Sequence, residues 1–148
     1  VGIVALGYNL ADNIRSDLSL EHYFNWKYTG PAPLEAITTK FKTDMMLLNF
    51  YMDVAQFKGY RMFLGIGAGK SNVNAHIKVR DPITNQLQDE IRYKQHDIFT
   101  YGFYAGAHYE FNPGIYTELM YSYKDLGVVV DSVKLKLHNV SAGIRFDL

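Results

Sequence analysis

From Phe99 to Phe111 the chain alternates without a break: Phe99, Tyr101, Phe103, Ala105, Ala107, Tyr109 and Phe111 interleave with Thr100, Gly102, Tyr104, Gly106, His108 and Glu110. Successive side chains of a strand point to opposite faces, so this segment is a strand with one apolar, aromatic face and one small or polar face. The C-terminal stretch repeats the pattern. Val140, Ala142, Ile144, Phe146 and Leu148 share one face, and Asn139, Ser141, Gly143, Arg145 and Asp147 the other. A chain built from such strands must give all its apolar faces one environment and all its polar faces another.

The rest of the chain can be divided on the same rule. Val4, Leu6, Tyr8 and Leu10 form a strand that ends in the turn Ala11-Asp12-Asn13. Ile14, Ser16, Leu18, Leu20, His22, Phe24 and Trp26 then oppose Arg15, Asp17, Ser19, Glu21, Tyr23, Asn25 and Lys27, up to a loop around Gly30-Pro31-Ala32-Pro33. A third strand runs from about Ala36 to Val54, with Met46, Leu48, Phe50 and Met52 against Leu47, Asn49, Tyr51 and Asp53, followed by a connection over Ala55 to Gly59. Tyr60, Met62, Leu64, Ile66 and Ala68 oppose Arg61, Phe63, Gly65, Gly67 and Gly69. These glycines stand at period 2 with no helix signal behind them, which suits room on a crowded concave face rather than a phosphate loop. Residues 70–96 read as a long polar loop or a protruding hairpin. After Phe111 come a tight Asn112-Pro113-Gly114 turn, a strand from Ile115 to Lys124, a loop over roughly Asp125 to Lys134, and the final strand.

Seven strands on 148 residues, with no linker or composition break, imply one domain. Connections at 11–13, 55–59 and 112–114 are short and those near 28–36, 70–96 and 125–134 long, so all short turns lie at one end. Outer-membrane barrels show that asymmetry. A formal net charge of zero gives no nucleic-acid footprint and no general attraction to anionic lipid. No apolar run approaches the roughly 20 residues of a spanning helix, but a membrane barrel dilutes its hydropathy with lumen residues. A soluble lipocalin-like carrier would turn its greasy face inward. Here glycines and charges share one face and fit a narrow lumen, so Phe103, Leu64, Leu119 and Ile144 are expected to face lipid, and Gly65, Glu118 and Arg145 the lumen. Two aromatic girdles are expected, with Phe24, Trp26, Phe99, Tyr101 and Tyr123 at the long-loop side and Tyr8, Tyr60, Tyr109, Phe111 and Phe146 at the short-turn side.

The terminal motif Ser141-x-Gly143-x-x-Phe146-x-Leu148 looks like the polar-x-Gly-x-x-hydrophobic-x-hydrophobic signal that closes outer-membrane barrels and is read by their insertion machinery. With the strand pattern, the chain resembles the small bacterial outer-membrane β-barrel superfamily of the Opa/OmpX type and the OmpA transmembrane domain. That resemblance implies an all-β, antiparallel up-and-down transmembrane barrel in the bacterial outer membrane. The barrel would be an anchor, and its cell-surface loops would serve adhesion or host-factor binding. The implied partners are outer-membrane lipid, the insertion machinery, and host-cell proteins or glycans. Such barrels have even strand numbers. With the C-terminus periplasmic, Val1 falls on the extracellular side, so a first strand and first loop are expected ahead of it, making eight strands.

Arg15, Asp17, Glu21, Arg61, Glu118, Lys124, Arg145 and Asp147 all face the lumen by parity and should pair across strands, because unpaired charge there is costly. The result is an ion-pair plug, with a narrow ion-conducting pore built from the same groups as the alternative. A hydrolytic pair of His138 and Ser141, as in a lipid A deacylase or phospholipase, conflicts with their spacing, since residues three apart point to opposite faces. No enzyme activity, cofactor or metal site is expected; His76 and His96 lack metal-ligand spacing. The candidate recognition loop carries His76, Lys78, Arg80, Asp81, Asp89, Glu90 and Arg92.

Overall fold

A computed structural model describes residues 1–29, 37–80, 87–130 and 133–146. They form seven strands: β1 (Gly2–Ala11), β2 (Ile14–Thr29), β3 (Ile37–Phe57), β4 (Tyr60–Arg80), β5 (Leu87–Asn112), β6 (Ile115–Val130) and β7 (Val133–Phe146). Each is antiparallel to the next in chain order, giving one up-and-down sheet. The sheet curls until side chains of β2 reach β6, as Arg15 does with Glu118 and Glu21 with Lys124. Between the edges β1 and β7 the curl stays open, leaving a cleft of about 780 Å³ lined by Ile3, Ala5 and Gly7 on one side and Ser141, Gly143 and Arg145 on the other.

The apolar faces point out. Leu64 and Phe103 are each 53% exposed, Leu119 58% and Ile144 63%. No soluble carrier would leave this whole set of residues bare, and they converge on no enclosed cavity. Around the sheet the apolar belt ends within about one row of the same height, with Met46 and Phe99 flanking Lys70. Above it the outward positions are His22 paired with Asp44, Asn72, and Lys70 paired with Asp97 at 3.0 Å. On β4 the belt runs from Tyr60 to Ala68, consistent with the roughly 25 Å apolar band of a tilted outer-membrane barrel. Phe24, Phe99 and Tyr101 lie near its upper rim and Tyr60, Tyr109, Phe111 and Phe146 near its lower one, all exposed.

The short turns are tighter than the alternation suggests. β3 continues to Phe57, so the connection expected over Ala55 to Gly59 shrinks to Lys58-Gly59, both at positive φ (48° and 85°). Two such residues match the primed turn whose twist suits a hairpin. Two expected loops are also largely strand. Within 70–96, β4 persists to Arg80 and β5 begins at Leu87, so this segment is the protruding hairpin. Within 125–134, β6 runs to Val130 and β7 starts at Val133.

Three irregularities lie near the upper rim. Between Tyr23 and Trp26 β2 carries one extra residue against β3; β5 does so between Gln95 and Ile98 against β4, where Asp97 has φ 57°; and β6 does so between Asp125 and Val128, around Gly127. An extra residue resets the alternation of one strand. Past this point Trp26 pairs in backbone register with Phe41, whose side chain packs toward the interior.

Candidate functional site

Two polar clusters fill the concave side. Nearer the short turns, the Arg15 guanidinium donates to Glu118 Oε2 (2.8 Å) and lies 2.8 Å from His108 Nδ1. It also stands 4.8 Å over the Tyr51 ring and 4.4 Å over Phe63. Arg145 approaches the same Glu118 oxygen at 4.0 Å and covers the Tyr116 ring at 4.2 Å. Asp53 sits 3.6 Å from His108 Nε2 and 3.9 Å from Arg61. The hub is therefore Arg15, which touches carboxylate, imidazole and two aromatic faces, rather than the Glu118 and Arg145 pair alone. Asp17 accepts from the Asn49 amide at 2.7 Å, and Asn49 in turn accepts from Tyr104 at 2.9 Å.

Higher in the barrel, Lys124 is wholly buried and Glu21 nearly so. The ammonium donates to Glu21 Oε2 (2.5 Å), Tyr23 Oη (2.9 Å) and Ser122 Oγ (3.4 Å), filling its three donor positions. Tyr23 also donates to Glu21 at 3.0 Å. Above this cluster an apolar layer of Tyr23, Met45, Leu47, Val73, Ile98, Leu126 and Leu137 crosses the interior. Glycines make the filling possible. A Cβ at Gly67 would overlap Asn49 Oδ1 and crowd Tyr104, one at Gly65 would overlap the Tyr51 ring, and one at Gly106 would strike Phe63 at 2.6 Å.

Of the eight charges expected in the lumen, the structure brings Arg15, Glu118 and Arg145 together, sets Glu21 with Lys124, joins Arg61 to Asp53 and leaves Asp17 on an amide. Asp147 lies outside the described residues, as does Leu148 of the terminal motif. Ser141 donates to the Met120 carbonyl at 3.4 Å, a Cβ at Gly143 would meet nothing within 4 Å, and Phe146 is exposed on the belt. His108, Asp53, Asn49 and the buried tyrosines were not among the expected network residues. Their inward parity was visible, but a neutral or lone polar group gives no sign of which strand it will meet.

The described histidine partners are not serines: His22 meets Asp44 and the Phe24 ring, and His138 Nδ1 lies 2.6 Å from Tyr121 Oη. Among the described residues no group of three or more His, Asp or Glu could hold a metal. Of the candidate recognition residues, His76 and Lys78 stand on β4 and Arg92 on β5, with Arg92 donating to His76 Nε2 at 2.9 Å. Arg80, Asp89 and Glu90 are placed by backbone on the same two strands, and Asp81 lies outside the described residues.

A curled meander with an apolar exterior belt, polar rows above it and a charged, aromatic-filled interior defines an integral outer-membrane β-barrel protein. The chain belongs to the Opacity family of porin proteins, whose profile matches residues 6–148. It is 27% identical to a Rickettsia conorii protein named "Putative adhesin", over 99% of this chain and 67% of that protein. A Rickettsia felis protein of the same printed name is 26% identical over 98% of this chain and 73% of its own length. The crystal structure of Neisserial surface protein A matches the fold with a TM-score of 0.65 at 19% identity, over 99% of this chain and 81% of that one.

Proposed function

We propose that this protein is a surface adhesin in which the barrel is a closed anchor and the β4–β5 hairpin carries recognition. The observation that carries the reading is the length of these two strands. β4 continues from Lys70, at the top of the belt, to Arg80, on the order of 30 Å along the strand at about 3.3 Å per residue. A rigid ribbon of that reach holds its tip well beyond the lipid, where a host surface is met. The names of the relatives point the same way. The interior supports the closed anchor: paired charges and an apolar layer fill it in two tiers, and the site has no catalytic role in this reading.

The register supplies a clean test. Val73 lies opposite Gln95, so residues 74–94 can be replaced by Asn-Gly, which closes a hairpin at that rung. Cells displaying the shortened protein should lose attachment to host cells while keeping the same amount of folded barrel in the outer membrane. Undiminished attachment would refute the hairpin as the recognition element.

A further inference from the structure

We propose that the outward face of the sheet just above the apolar belt binds the phosphate groups of anionic outer-leaflet lipid. Two rungs make up this face. One aligns Lys42, Asn74 and Lys94 on β3, β4 and β5; the next aligns Lys40, His76 and Arg92. The inward neighbours Thr43, Val73 and Ala75 are buried, so the basic rows are the outer ones, and Lys42, Arg92 and Lys94 are exposed. These two rungs hold four permanent cations and no carboxylate. Asp44 and Asp97 at the rim below are engaged by His22 and Lys70, and Glu90 stands one rung above, opposite Lys78.

Three features turn this basic patch into a lipid site. The first is height: Lys42 is two residues above Asp44, where the belt has ended, which places it in the headgroup layer. The second is direction, because the side chains project sideways from the barrel wall toward neighbouring lipids, not upward toward an approaching cell. The third is electrostatic frustration. Lys40 and Lys42 stand two residues apart on one face of β3, with Lys94 across Asn74 on β5, and like charges gathered on one face repel one another unless an anion lies between them. Lys42 and Lys94 flank Asn74 two strand spacings apart, roughly 10 Å, which leaves room for a phosphate between two ammonium groups with an amide donor at its centre. Arg92 is held along the same surface by its bond to His76. A net charge of zero for the whole chain conceals this local excess.

The test uses the full chain folded in zwitterionic detergent, with bound lipid read by native mass spectrometry. The probes are bis-phosphorylated lipid A and its dephosphorylated counterpart. Each Lys or Arg beside an anionic lipid surface contributes about a five-fold gain in binding, so K40Q/K42Q/R92Q/K94Q should lose about 600-fold of the preference for the phosphorylated form. K40R/K42R/K94R should keep the preference, Lys58→Gln at the opposite end should not alter it, and raising salt should erode it. Equal retention of both lipids by the wild type would overturn the proposal. So would an undiminished preference in the glutamine variant, or an equal loss in the arginine variant. If the wild type ignores lipid phosphate yet binds an immobilised sulfated glycan that the glutamine variant does not, the face reads glycans and the lipid assignment falls.

Discussion

Replacing Lys124 by methionine separates a buried ion pair from the many charges on the outside of this barrel. The ammonium has no solvent exposure and the Glu21 side chain 2%, whereas the Lys70 and Asp97 side chains are 64% and 72% exposed. In Lys124→Met, Glu21 keeps only the hydroxyls of Tyr23 (3.0 Å) and Ser19 (3.4 Å) in place of a cation at 2.5 Å. Breaking a buried pair from one side costs about 3–5 kcal/mol, and losing an exposed pair about 0–1 kcal/mol. With a urea slope of about 2 kcal/mol/M, the unfolding midpoint should fall by roughly 1.5–2.5 M for Lys124→Met and by less than about 0.5 M for Lys70→Met. The double variant Lys124→Met with Glu21→Gln should recover most of the loss, since no uncompensated charge remains. Reversible urea unfolding in lipid vesicles measures all three. A midpoint for Lys124→Met within about 0.5 M of wild type, or no recovery in the double variant, would show that the pair is not held out of water as the geometry requires.

Other expectations follow from the same interior and belt. Gly67→Ala forces Asn49 and Tyr104 to move and should cost about 1–3 kcal/mol, whereas Gly2→Ala, whose new methyl meets Phe24 at an ordinary 3.7 Å, should stay within about 0.5 kcal/mol of wild type; the same unfolding assay compares them. Leu64→Arg, in the belt, should cost about 2–4 kcal/mol, and Asn72→Arg at the rim under about 1 kcal/mol, a difference that vanishes if the belt does not face lipid. In planar bilayers wild type should be silent, and Arg15→Leu, which removes the contacts to Glu118 and His108, should flicker; a large steady conductance from wild type would contradict a closed anchor.

The sequence made the barrel's polarity readable because period 2 holds through the belt, the shifts at Asn9–Ala11, Asp53–Ala55 and Glu110–Asn112 lying beside the short turns. Phe103, Leu64, Glu118 and Arg145 fall where their parity puts them. Parity failed where strands carry an extra residue. Reading straight through β2 missed the extra residue between Tyr23 and Trp26, and 70–96 read as polar because the inward residues Ser71, Val73 and Ala75 are small while the outward ones are polar or charged. A bulge leaves no composition signal of its own, so the change of phase at Asp97 was not visible either. The interior was half legible. Inward charges could be named, but which of them meet depends on how far the sheet curls, and the curl is what brings Arg15 to Glu118 and His108 in addition to its neighbour Tyr51 on β3.

The extra residues in β2, β5 and β6 also mark a seam for engineering. All three lie near the rim, so alternation above them is set separately from alternation below. A residue gained or lost in the upper ribbon changes which side chains that ribbon shows without turning a single belt residue inward. The upper halves of these strands can therefore be exchanged as a cassette, cut at Asp97 and its counterparts, on an unaltered membrane base. A cut placed lower, within Tyr60 to Ala68, would carry the error into the lipid-facing rows.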